Sequence, residues 1–348
     1  MAAPMIGAPR SEGELDALLS EPREATVAAL ARASGDLVVL GAGGKMGPTL
    51  ARMAARAAER AAGGTRRRVI AVSRFSSEPA VRALREAGVE TVRCDLLDRD
   101  AVRRLPDAAN VVFMAGQKFG TSEAPSRTWM LNVVVPAICA ERYAGARIVA
   151  FSTGNVYPLV PVTSGGAREA DATGPVGEYA ASCVGRERVF EHYAERDGTR
   201  VAIARLNYAM DLRYGVLTDL AVALVRGEPI SLTMGHVNVI WQRDAVCAAL
   251  ELLPLAAVPP LVVNVTGSET LSVRELAIAL GKRLGREPRF EGREANDALL
   301  SDTARLRSLL GAPEMPIETM LDWVAEWVRE GRPLLGKPTH FETRDGAF

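Results

Sequence analysis

The segment Leu37–Thr49, with the sequence LVVLGAGGKMGPT, constrains the fold more than any other part of the chain. Its first four residues form a short apolar run, which is typical of a parallel strand buried on both faces. Glycines then recur at every third position, and Pro48 fits the first turn of a following Ala-rich helix. Glycines let backbone N–H groups approach a pyrophosphate, whose charge a helix N-terminus attracts. This context favours a dinucleotide-phosphate site over a plain structural turn. The residues predicted to form the site are Gly41, Gly43, Gly44, Lys45, Met46 and Gly47.

The composition excludes some classes of partner. The chain has 348 residues, a hydrophobic fraction of 48% and a formal net charge of zero. Because nucleic-acid binding needs a basic surplus or a clustered basic patch, we do not expect a nucleic acid as the main partner. The first ten residues lack the basic and apolar regions of a signal peptide, and no apolar run is long enough to span a membrane. We therefore expect no membrane association and a cytoplasmic location.

The cysteines and histidines do not have the spacing of a metal site. Four cysteines are scattered along the chain without a C-x-x-C pair, and only three histidines could join them. Zinc sites usually bring ligands from closely spaced pairs. The sequence therefore predicts no metal, and isolated thiols fit a reducing compartment.

Apolar runs and helical patterns alternate along the first half of the chain. This alternation predicts a parallel sheet with right-handed crossovers, and hence an α/β, doubly wound fold of the Rossmann type with a smaller C-terminal substrate lobe. The predicted strands after the first are Val69–Ser73, Glu90–Cys94, Asn110–Ala115, Arg147–Phe151 and Leu261–Val265, the last returning to the large sheet. The predicted helices include Glu78–Ala87, a short helix near Ala101, Ser126–Tyr143, Glu178–Glu195, Val216–Arg226, Val273–Leu284 and Ile317–Arg329.

This pattern divides the chain into four parts. Residues 1–34 are expected to form a helical extension packed outside the nucleotide-binding domain, which spans residues 35–208. Residues 209–330 form mainly the substrate lobe, with some segments returning to the sheet. The tail, residues 331–348, is polar and contains two aromatic anchors, Phe341 and Phe348. Three arrangements fit the tail: packing on a neighbouring subunit, covering the cleft, or fraying.

The end of the second predicted strand bears on the choice of cofactor. Sites that prefer NAD usually place an acidic residue about 20 residues beyond the glycines, whereas an arginine suits the 2′-phosphate of NADP. Ser73 and Arg74 stand there without an acid, and Lys45 adds a second positive charge. The sequence therefore favours NADP over NAD, unless Arg74 is only a solvated loop residue. Asp95 and Leu96, just past the third strand, are placed to contact the adenine.

Two later segments carry a resemblance to a known family. Phe151–Tyr157 (FSTGNVY) ends a strand on a hydroxyl, and Glu178–Cys183 (EYAASC) opens a helix. With these ordered motifs, residues 35–330 resemble the extended branch of the short-chain dehydrogenase/reductase superfamily, which contains NAD(P)-dependent sugar-nucleotide epimerases and dehydratases. The resemblance implies catalytic roles for Thr153 and Tyr179. The tyrosine oxygen would exchange a proton with the substrate hydroxyl, Thr153 would hydrogen-bond the reacting oxygen, and nicotinamide would exchange a hydride.

The chain departs from this family at one catalytic position. Members carry lysine four residues after the tyrosine, where Cys183 stands here, and a neutral thiol cannot lower a tyrosine pKa whose reference value is about 10. Three interpretations remain: another cation replaces the lysine, the tyrosine acts mainly as an acid, or the site binds nucleotide without turnover. Lys118 is the favoured substitute and a predicted catalytic residue, and Arg186 is the second candidate. Ala115, Gly116 and Cys183 itself are assigned to the cofactor.

A second departure from the family pattern limits the class of reaction that we expect. Family dehydratases carry Asp-Glu directly after the threonine, whereas this chain has Gly154 and Asn155. Redox chemistry or epimerisation is therefore favoured over elimination of water. Asp244 is expected to cap a helix beneath the substrate lobe. The residues predicted to line the substrate pocket, each with a structural role as the alternative, are Asn155, Asn207, Tyr208, Arg213, His236 and Asn238.

The sequence thus supports two functional hypotheses. The first is an NAD(P)-dependent oxidoreductase or epimerase of a small hydroxylated, sugar-like substrate, expected to be a homodimer. The second is a nucleotide-binding sensor or regulatory protein of the same fold with an impaired proton-transfer site. The retained threonine and tyrosine favour the enzyme, and Cys183 favours the sensor.

Overall fold

A parallel sheet forms the centre of the molecule in the computed structural model, which describes residues 7–61 and 67–346. The strands are β1 (Leu37–Leu40), β2 (Val69–Ser73), β3 (Glu90–Arg93), β4 (Asn110–Phe113), β5 (Arg147–Thr153), β6 (Val160–Pro161), β7 (Arg200–Leu206), β8 (Ala209–Met210), β9 (Ile230–Ser231), β10 (His236–Val237), β11 (Ile240–Trp241), β12 (Leu261–Val265), β13 (Leu271–Ser272), β14 (Phe290–Glu291) and β15 (Asp297–Ala298). Within the described residues, seven of them form the sheet in the order β12, β7, β5, β4, β1, β2, β3, and every pair is parallel. The predicted doubly wound α/β fold is confirmed, with β12 returning to the large sheet. The strand order reverses at β1, which is where such folds bind ligands.

Helices cover both faces of this sheet and build the second lobe. They are α1 (Glu12–Leu19), α2 (Glu24–Arg32), α3 (Gly47–Ala61), α4 (Glu78–Glu86), α5 (Arg99–Arg103), α6 (Pro125–Trp129), α7 (Val135–Arg142), α8 (Gly177–Asp197), α9 (Val216–Arg226), α10 (Gln242–Glu251), α11 (Val273–Leu284), α12 (Ala304–Leu310) and α13 (Ile317–Arg329). The predicted bounds of α9, α11 and α13 are those observed. Both α9 and α11 end at a glycine in the left-handed conformation, Gly227 and Gly285, which terminates a helix without a steric penalty. Among the described helices, none is both long and apolar enough to cross a membrane.

The helix predicted over Ser126–Tyr143 is interrupted. A π-helical turn, Met130–Val134, separates α6 from α7. Pro136 explains the interruption, because it has no N–H to donate to the carbonyl of Asn132 and its ring crowds that carbonyl. The side chain of Arg186 instead donates to the Asn132 carbonyl oxygen, with an Nε–O distance of 3.4 Å. The widened turn therefore links the π-helical segment to α8.

The three larger buried apolar clusters of the described residues organise the two lobes. Two lie on the faces of the sheet and the third fills the lobe made by α9, α11 and α13. The N-terminal helices divide between them: Leu30 of α2 joins a sheet cluster, as expected, but Leu15 and Leu19 of α1 join the lobe cluster. Asp16 of α1 also pairs with Arg52 of α3 at 2.8 Å, so the extension packs against the outside of the nucleotide-binding domain and reaches the lobe as well. The rings of Trp241 and Trp323 meet edge to face inside the lobe, with centroids 6.0 Å apart.

Asp244 does not cap a helix. It lies inside α10, whose N-cap is Trp241. One carboxylate oxygen of Asp244 accepts hydrogen bonds from the backbone N–H groups of Glu314 and Met315, each at 3.0 Å. Asp244 therefore positions the segment that leads into α13.

The described part of the tail covers the cleft of its own chain. Thr339 donates from both its backbone N–H and its hydroxyl to Asp219 of α9, at 2.8 and 2.6 Å. The backbone carbonyl of Phe341, whose ring is buried, accepts a hydrogen bond from the hydroxyl of Tyr208 at 3.3 Å. Arg344 then pairs with Asp297 at 2.5 Å. The second predicted anchor, Phe348, lies outside the described residues.

Candidate active site

The glycine turn after β1 is built for close backbone approach. Gly41 has a φ of +88°, and a Cβ placed on it would lie 2.6 Å from the backbone nitrogen of Ala115. A Cβ on Gly47 would lie 2.5 Å from the carbonyl oxygen of Ala42. The turn is anchored to β2, since the N–H groups of Gly41 and Ala42 both donate to the carbonyl oxygen of Val72. A compact turn thus leads directly into the N-terminus of the 15-residue α3, an arrangement that fits a dinucleotide pyrophosphate.

The residues predicted to select the cofactor lie along the same edge of the sheet. Ser73 ends β2, and its hydroxyl would lie 2.6 Å from a Cβ on Gly43, so it packs against the glycine turn. Arg74 follows and is exposed, and within the described residues no ion pair involves it. Beyond β3, Leu96 is buried, while the Asp95 carboxylate accepts a hydrogen bond from a nearby backbone N–H. These four residues lie outside the cavity described next, on the side of the turn expected for adenosine.

A cavity of about 490 Å³ lies at the carboxyl edge of the sheet, between the glycine turn, the ends of β4 and β5, and the tail. This volume is in the usual range for small-molecule sites, roughly 300–1,000 Å³. Its lining includes these predicted site residues: Gly41, Gly43, Gly44, Lys45, Met46, Gly47, Gly116, Lys118, Thr153, Asn155, Tyr179, Asn207 and Tyr208. Ala115 and Cys183 lie directly behind this lining.

Thr153, Tyr179 and Cys183 form one hydrogen-bonded group. The Tyr179 hydroxyl interacts with both the Thr153 hydroxyl and the Cys183 thiol. Thr153 in turn donates to the side-chain oxygen of Asn155 at 2.9 Å. Burial and the neighbouring Cys183 raise the pKa of the Tyr179 hydroxyl well above its usual value, and the opposing effect of Arg186 is smaller. The tyrosine is therefore protonated at neutral pH. Burial also raises the pKa of the Cys183 thiol.

The positive charge of Arg186 acts on this group and opposes the rise in the Tyr179 pKa. It is 6% exposed and donates to the carbonyl oxygen of Phe151 at 2.9 Å and to the side-chain oxygen of Asn132 at 2.8 Å. A Cβ on Gly116 would lie 2.4 Å from its guanidinium, so a side chain there would displace Arg186 from its present position. Its hydrogen-bond partners in the described chain are neutral, and its charge therefore remains available to the site.

Lys118 lies on a different side of the cavity. Its ammonium donates to the carbonyl oxygen of Thr339 at 3.4 Å, and its positive charge acts on the Cys183 thiol. Burial lowers the pKa of Lys118 to about 8, although Asp219 partly offsets this effect. Lys118 is thus close to the thiol, while Arg186 acts on both the thiol and the tyrosine.

A buried ion pair holds in place the strands and the helix that carry Thr153 and Tyr179. Glu187 and Arg205 lie 2.7 Å apart with side chains 2% and 6% exposed. Glu187 also accepts a hydrogen bond from Ser152, the neighbour of Thr153, and Arg205 donates to the hydroxyl of Tyr157 at 2.7 Å. These contacts tie β5, β7 and α8 together, so that the hydroxyls of Thr153 and Tyr179 are held on the same side of the cavity.

Three predicted substrate residues are not brought to the cavity. Arg213 pairs with Asp211 at 2.8 Å and with Asp16 of α1 at 3.0 Å, so it fastens the N-terminal helix. His236 lies in β10, paired with β13. Asn238 is 2% exposed and bridges the backbones of two loops in the lobe. The prediction for these three residues is corrected, because none of them lines the cavity and the side chains of Arg213 and Asn238 are held by structural contacts.

Sequence reasoning missed several residues of the site. Asn132 is fully buried and joins Gln117, Ser182 and Arg186. The proline four residues later could have indicated it, because Pro136 frees its carbonyl. The remaining residues lie on loops, on the tail and at the start of α10, where no local pattern marks them. They are Gln117, Phe119, Tyr214, Gln242, Lys337 and Thr339.

Comparison with protein families agrees with this geometry. A sequence model of the NAD-dependent epimerase/dehydratase family matches residues 37–210, half of the chain. The matched segment contains the glycine turn, Arg74, Thr153 and Tyr179. The family resemblance inferred from these motifs is confirmed. No curated protein sequence matches the chain significantly.

Solved structures share the fold at low sequence identity. The UDP-Glc/GlcNAc 4-epimerase of Campylobacter jejuni is 21% identical with a TM-score of 0.70, over 85% of this chain and 100% of that one. The UDP-glucose 4-epimerase of Thermus thermophilus, solved in complex with NAD, is 19% identical with a TM-score of 0.69, over 84% and 98%. A putative epimerase from Burkholderia cenocepacia is 24% identical with a TM-score of 0.68, over 86% and 99%.

Proposed function

The chain belongs to the NAD-dependent epimerase/dehydratase family, and from this premise we propose that it is an NADP-dependent oxidoreductase or epimerase of a hydroxylated, sugar-like substrate. One observation carries the proposal: Thr153 and Tyr179 line the same cavity as the glycine turn. A cofactor on the turn and a substrate hydroxyl at the tyrosine would therefore meet within a single site.

The proposed preference for NADP rests on the positive charge of Arg74, at the end of β2 where the adenosine ribose is expected to bind. Ser73 ends β2 and Arg74 follows it, so the acidic side chain that would hold a ribose 2′-hydroxyl is missing there. The exposed guanidinium of Arg74 can pair with a 2′-phosphate, an interaction worth about 1.5–3 kcal/mol when charge-assisted. NAD remains the alternative cofactor.

The protonated Tyr179 favours an acid role in the chemical step. When bound, the nicotinamide cofactor supplies or accepts the hydride. In the reductive direction, Tyr179 gives its proton to the carbonyl oxygen of the substrate, while the Thr153 hydroxyl turns from Asn155 and donates its hydrogen bond to the same oxygen. The oxygen becomes the product hydroxyl, and Tyr179 is left as an anion that recovers its proton from solvent. Arg186 stabilises this anion, because it already opposes the rise in the tyrosine pKa.

Arg186 therefore replaces the missing lysine better than Lys118 does. Its guanidinium is buried next to α8 and lowers the pKa values of both Tyr179 and Cys183. Lys118 affects the thiol, and its ammonium is directed to the tail. The proposed catalytic residues are Thr153 and Tyr179, with Arg186 as a positioning and charge-supplying residue.

The decisive experiment combines cofactor identity with a substrate screen. The nucleotide carried by the purified protein would be identified, and sugars, polyols and sugar acids would then be tested by nicotinamide absorbance. With an active substrate, Arg186→Met should raise the apparent pKa of the tyrosine-dependent step, whereas Lys118→Met should shift it less. Cys183→Ser is the matched control, since neither group carries positive charge. If only Cys183→Ser abolishes turnover, the thiol itself takes part and the assignment of Arg186 is wrong.

The sensor hypothesis has one observation in its favour. The position of the family lysine is occupied by Cys183, and the neighbouring Tyr179 has a raised pKa. A protein that binds NADP but turns over none of the screened substrates, and that gains turnover with Cys183→Lys, would support the sensor and exclude the enzyme.

A further inference from the structure

Lysine is rare in this chain, and its distribution is uneven. Only four lysines occur, although Lys and Arg together number 42. Three of them, Lys45, Lys118 and Lys337, line the cavity of the candidate active site. The fourth, Lys282, is exposed in the last turn of α11, away from this cavity. The three cavity lysines come from the glycine turn, the loop after β4 and the tail, so that only the folded chain brings them together.

The ammonium groups of Lys45 and Lys118 share an aromatic platform. Lys45 Nζ lies 3.2 Å from the ring centroid of Tyr214 and 4.9 Å from that of Phe119. Lys118 Nζ lies 5.4 Å from the same Phe119 centroid. Aromatic faces attract cations and hold them in place without neutralising their charge. Both ammonium groups are therefore held beside Phe119 in the wall of the cavity.

The cluster carries more positive charge than its surroundings balance. Burial, followed by repulsion from Lys118 and Lys337, lowers the pKa of Lys45 to about 7. Within residues 7–61 and 67–346, neither Lys45 nor Lys337 forms an ion pair with a carboxylate. Lys45 and Lys118 are half-buried, and Lys337 is exposed at the rim of the same cavity, so an anion between them would be stabilised by all three charges.

The acidic groups near the cluster have other partners. Asp219 accepts two hydrogen bonds from Thr339, and Asp211 pairs with Arg213 at 2.8 Å. Both attract Lys45 from a distance, but neither contacts its ammonium. The anion that would complete the cluster is thus not supplied by these two side chains.

The tail contacts place Lys337 over the cavity. On one side of it, the backbone N–H of Leu335 donates to the carbonyl oxygen of Arg213 at 3.1 Å. On the other side, Thr339 is 2% exposed and is bound to Asp219. Because the chain is fastened two residues before and two residues after Lys337, this lysine belongs to the wall of the site.

We propose that the substrate carries an anionic group, a carboxylate or a phosphate, which the three lysines bind beside the reacting hydroxyl. This assignment deepens the proposed function and rests on it. The location follows from Lys118, whose charge acts on Cys183, the hydrogen-bond partner of Tyr179. The substrate class is therefore a hydroxylated acid or a sugar phosphate, with its charge held next to the carbon that changes oxidation state.

Direct binding measurements test this assignment without requiring turnover. Gluconate, glucose 6-phosphate, inorganic phosphate and neutral glucose would be titrated calorimetrically at pH 6.5 into the full chain, with and without saturating NADP. We expect the charged probes to bind the NADP-loaded protein at least about tenfold more tightly than glucose, as expected for charge-assisted contacts. Lys337→Met and Lys118→Met should each weaken the charged probes about tenfold. Lys282→Met is the matched control and should leave all four probes unchanged.

Specific outcomes would overturn the assignment. Equal affinity for charged and neutral probes would exclude an anion site, as would a Lys337→Met variant that behaves like Lys282→Met. Lys337 lies on the tail, so this variant remains informative even if Lys118→Met fails to fold. Charged probes that bind only without NADP would mean that the lysines serve the phosphates of the cofactor. Failure of the proposed function looks different: anion binding persists, but no charged substrate is turned over.

Discussion

The two halves of the cleft are built by different means. On the cofactor side, the turn after β1 is made of backbone and glycine, and its geometry depends on contacts with Val72, Ala42 and Ala115. On the proton-transfer side, side chains from β5, α8, the loop after β4 and the tail meet around Tyr179. The first half follows the family pattern closely, and the second half departs from it at Cys183.

The difference between the two sides of the cleft shows which of them tolerates substitution of its residues. A glycine turn is constrained by sterics, because any Cβ at Gly47 would collide with backbone atoms. A charge beside a tyrosine can instead come from any long cationic side chain that reaches it. In the proposed mechanism, Arg186, three residues after Cys183 on α8, would supply such a charge from a different position. The catalytic half can therefore be rebuilt while the cofactor half stays fixed.

The largest expected effect is at the tyrosine. Tyr179→Phe should lower turnover by about 10²–10⁴-fold, because the hydroxyl that moves the proton is lost. Affinity for the nucleotide, measured by calorimetry, should hardly change, since the cofactor half of the cleft is untouched. Unchanged turnover would remove Tyr179 from the mechanism and point to another acid.

The second-largest effect is expected in the glycine turn, where some glycines avoid a steric clash and others leave room for the phosphates. Gly47→Ala should destabilise the protein by about 1–3 kcal/mol, since the new Cβ would lie 2.5 Å from a backbone oxygen. Gly44→Ala is the matched control, because its Cβ would have an ordinary contact of 3.5 Å with Gly41. Thermal unfolding without nucleotide measures both. Equal destabilisation by the two variants would contradict the steric interpretation, while a loss of nucleotide affinity in Gly44→Ala alone would assign that glycine to the phosphates.

A smaller and more selective effect is expected at the adenosine side. Arg74→Ala should weaken NADP binding by about 10–100-fold, as expected for one charge-assisted contact, and change NAD binding little. The ratio of the two dissociation constants is the quantity to measure. An equal loss for both cofactors would show that Arg74 does not contact the 2′-phosphate.

The smallest effect is the pH dependence of anion binding. The pKa of Lys45 is about 7 and that of Lys118 is about 8, so both ammonium groups lose their protons as the pH rises from 6 to 9. Gluconate keeps its charge over this range, and its affinity should therefore fall by about three- to tenfold as the pH rises. The nearby carboxylates of Asp211 and Asp219 raise the pKa of Lys45, and the value of about 7 already includes their effect. Affinity that rises with pH, or Lys282→Met altering the profile, would contradict this prediction.

Much of the fold was predictable because its signals are local. The run Leu37–Leu40, the glycine spacing and the bounds of α9, α11 and α13 depend on apolar periodicity and on helix-ending residues close in sequence. The interruption at Met130–Val134 also has a local cause in Pro136. In contrast, the places of Arg213, His236 and Asn238 depended on which neighbours the second lobe provides.

The sequence by itself determined strand β1, the glycine turn after it, and the two hydroxyl residues, Thr153 and Tyr179. These features depend on the apolar pattern and on steric limits of residues that are close together in the sequence. Only the tertiary structure decided which cation lies near Tyr179, since the candidate side chains come from the loop after β4, from α8 and from the tail. It also decided that Lys45, Lys118 and Lys337 share one cavity. The sequence separates Lys118 from Lys337 by more than 200 residues, and electrostatic interaction depends on distance in space.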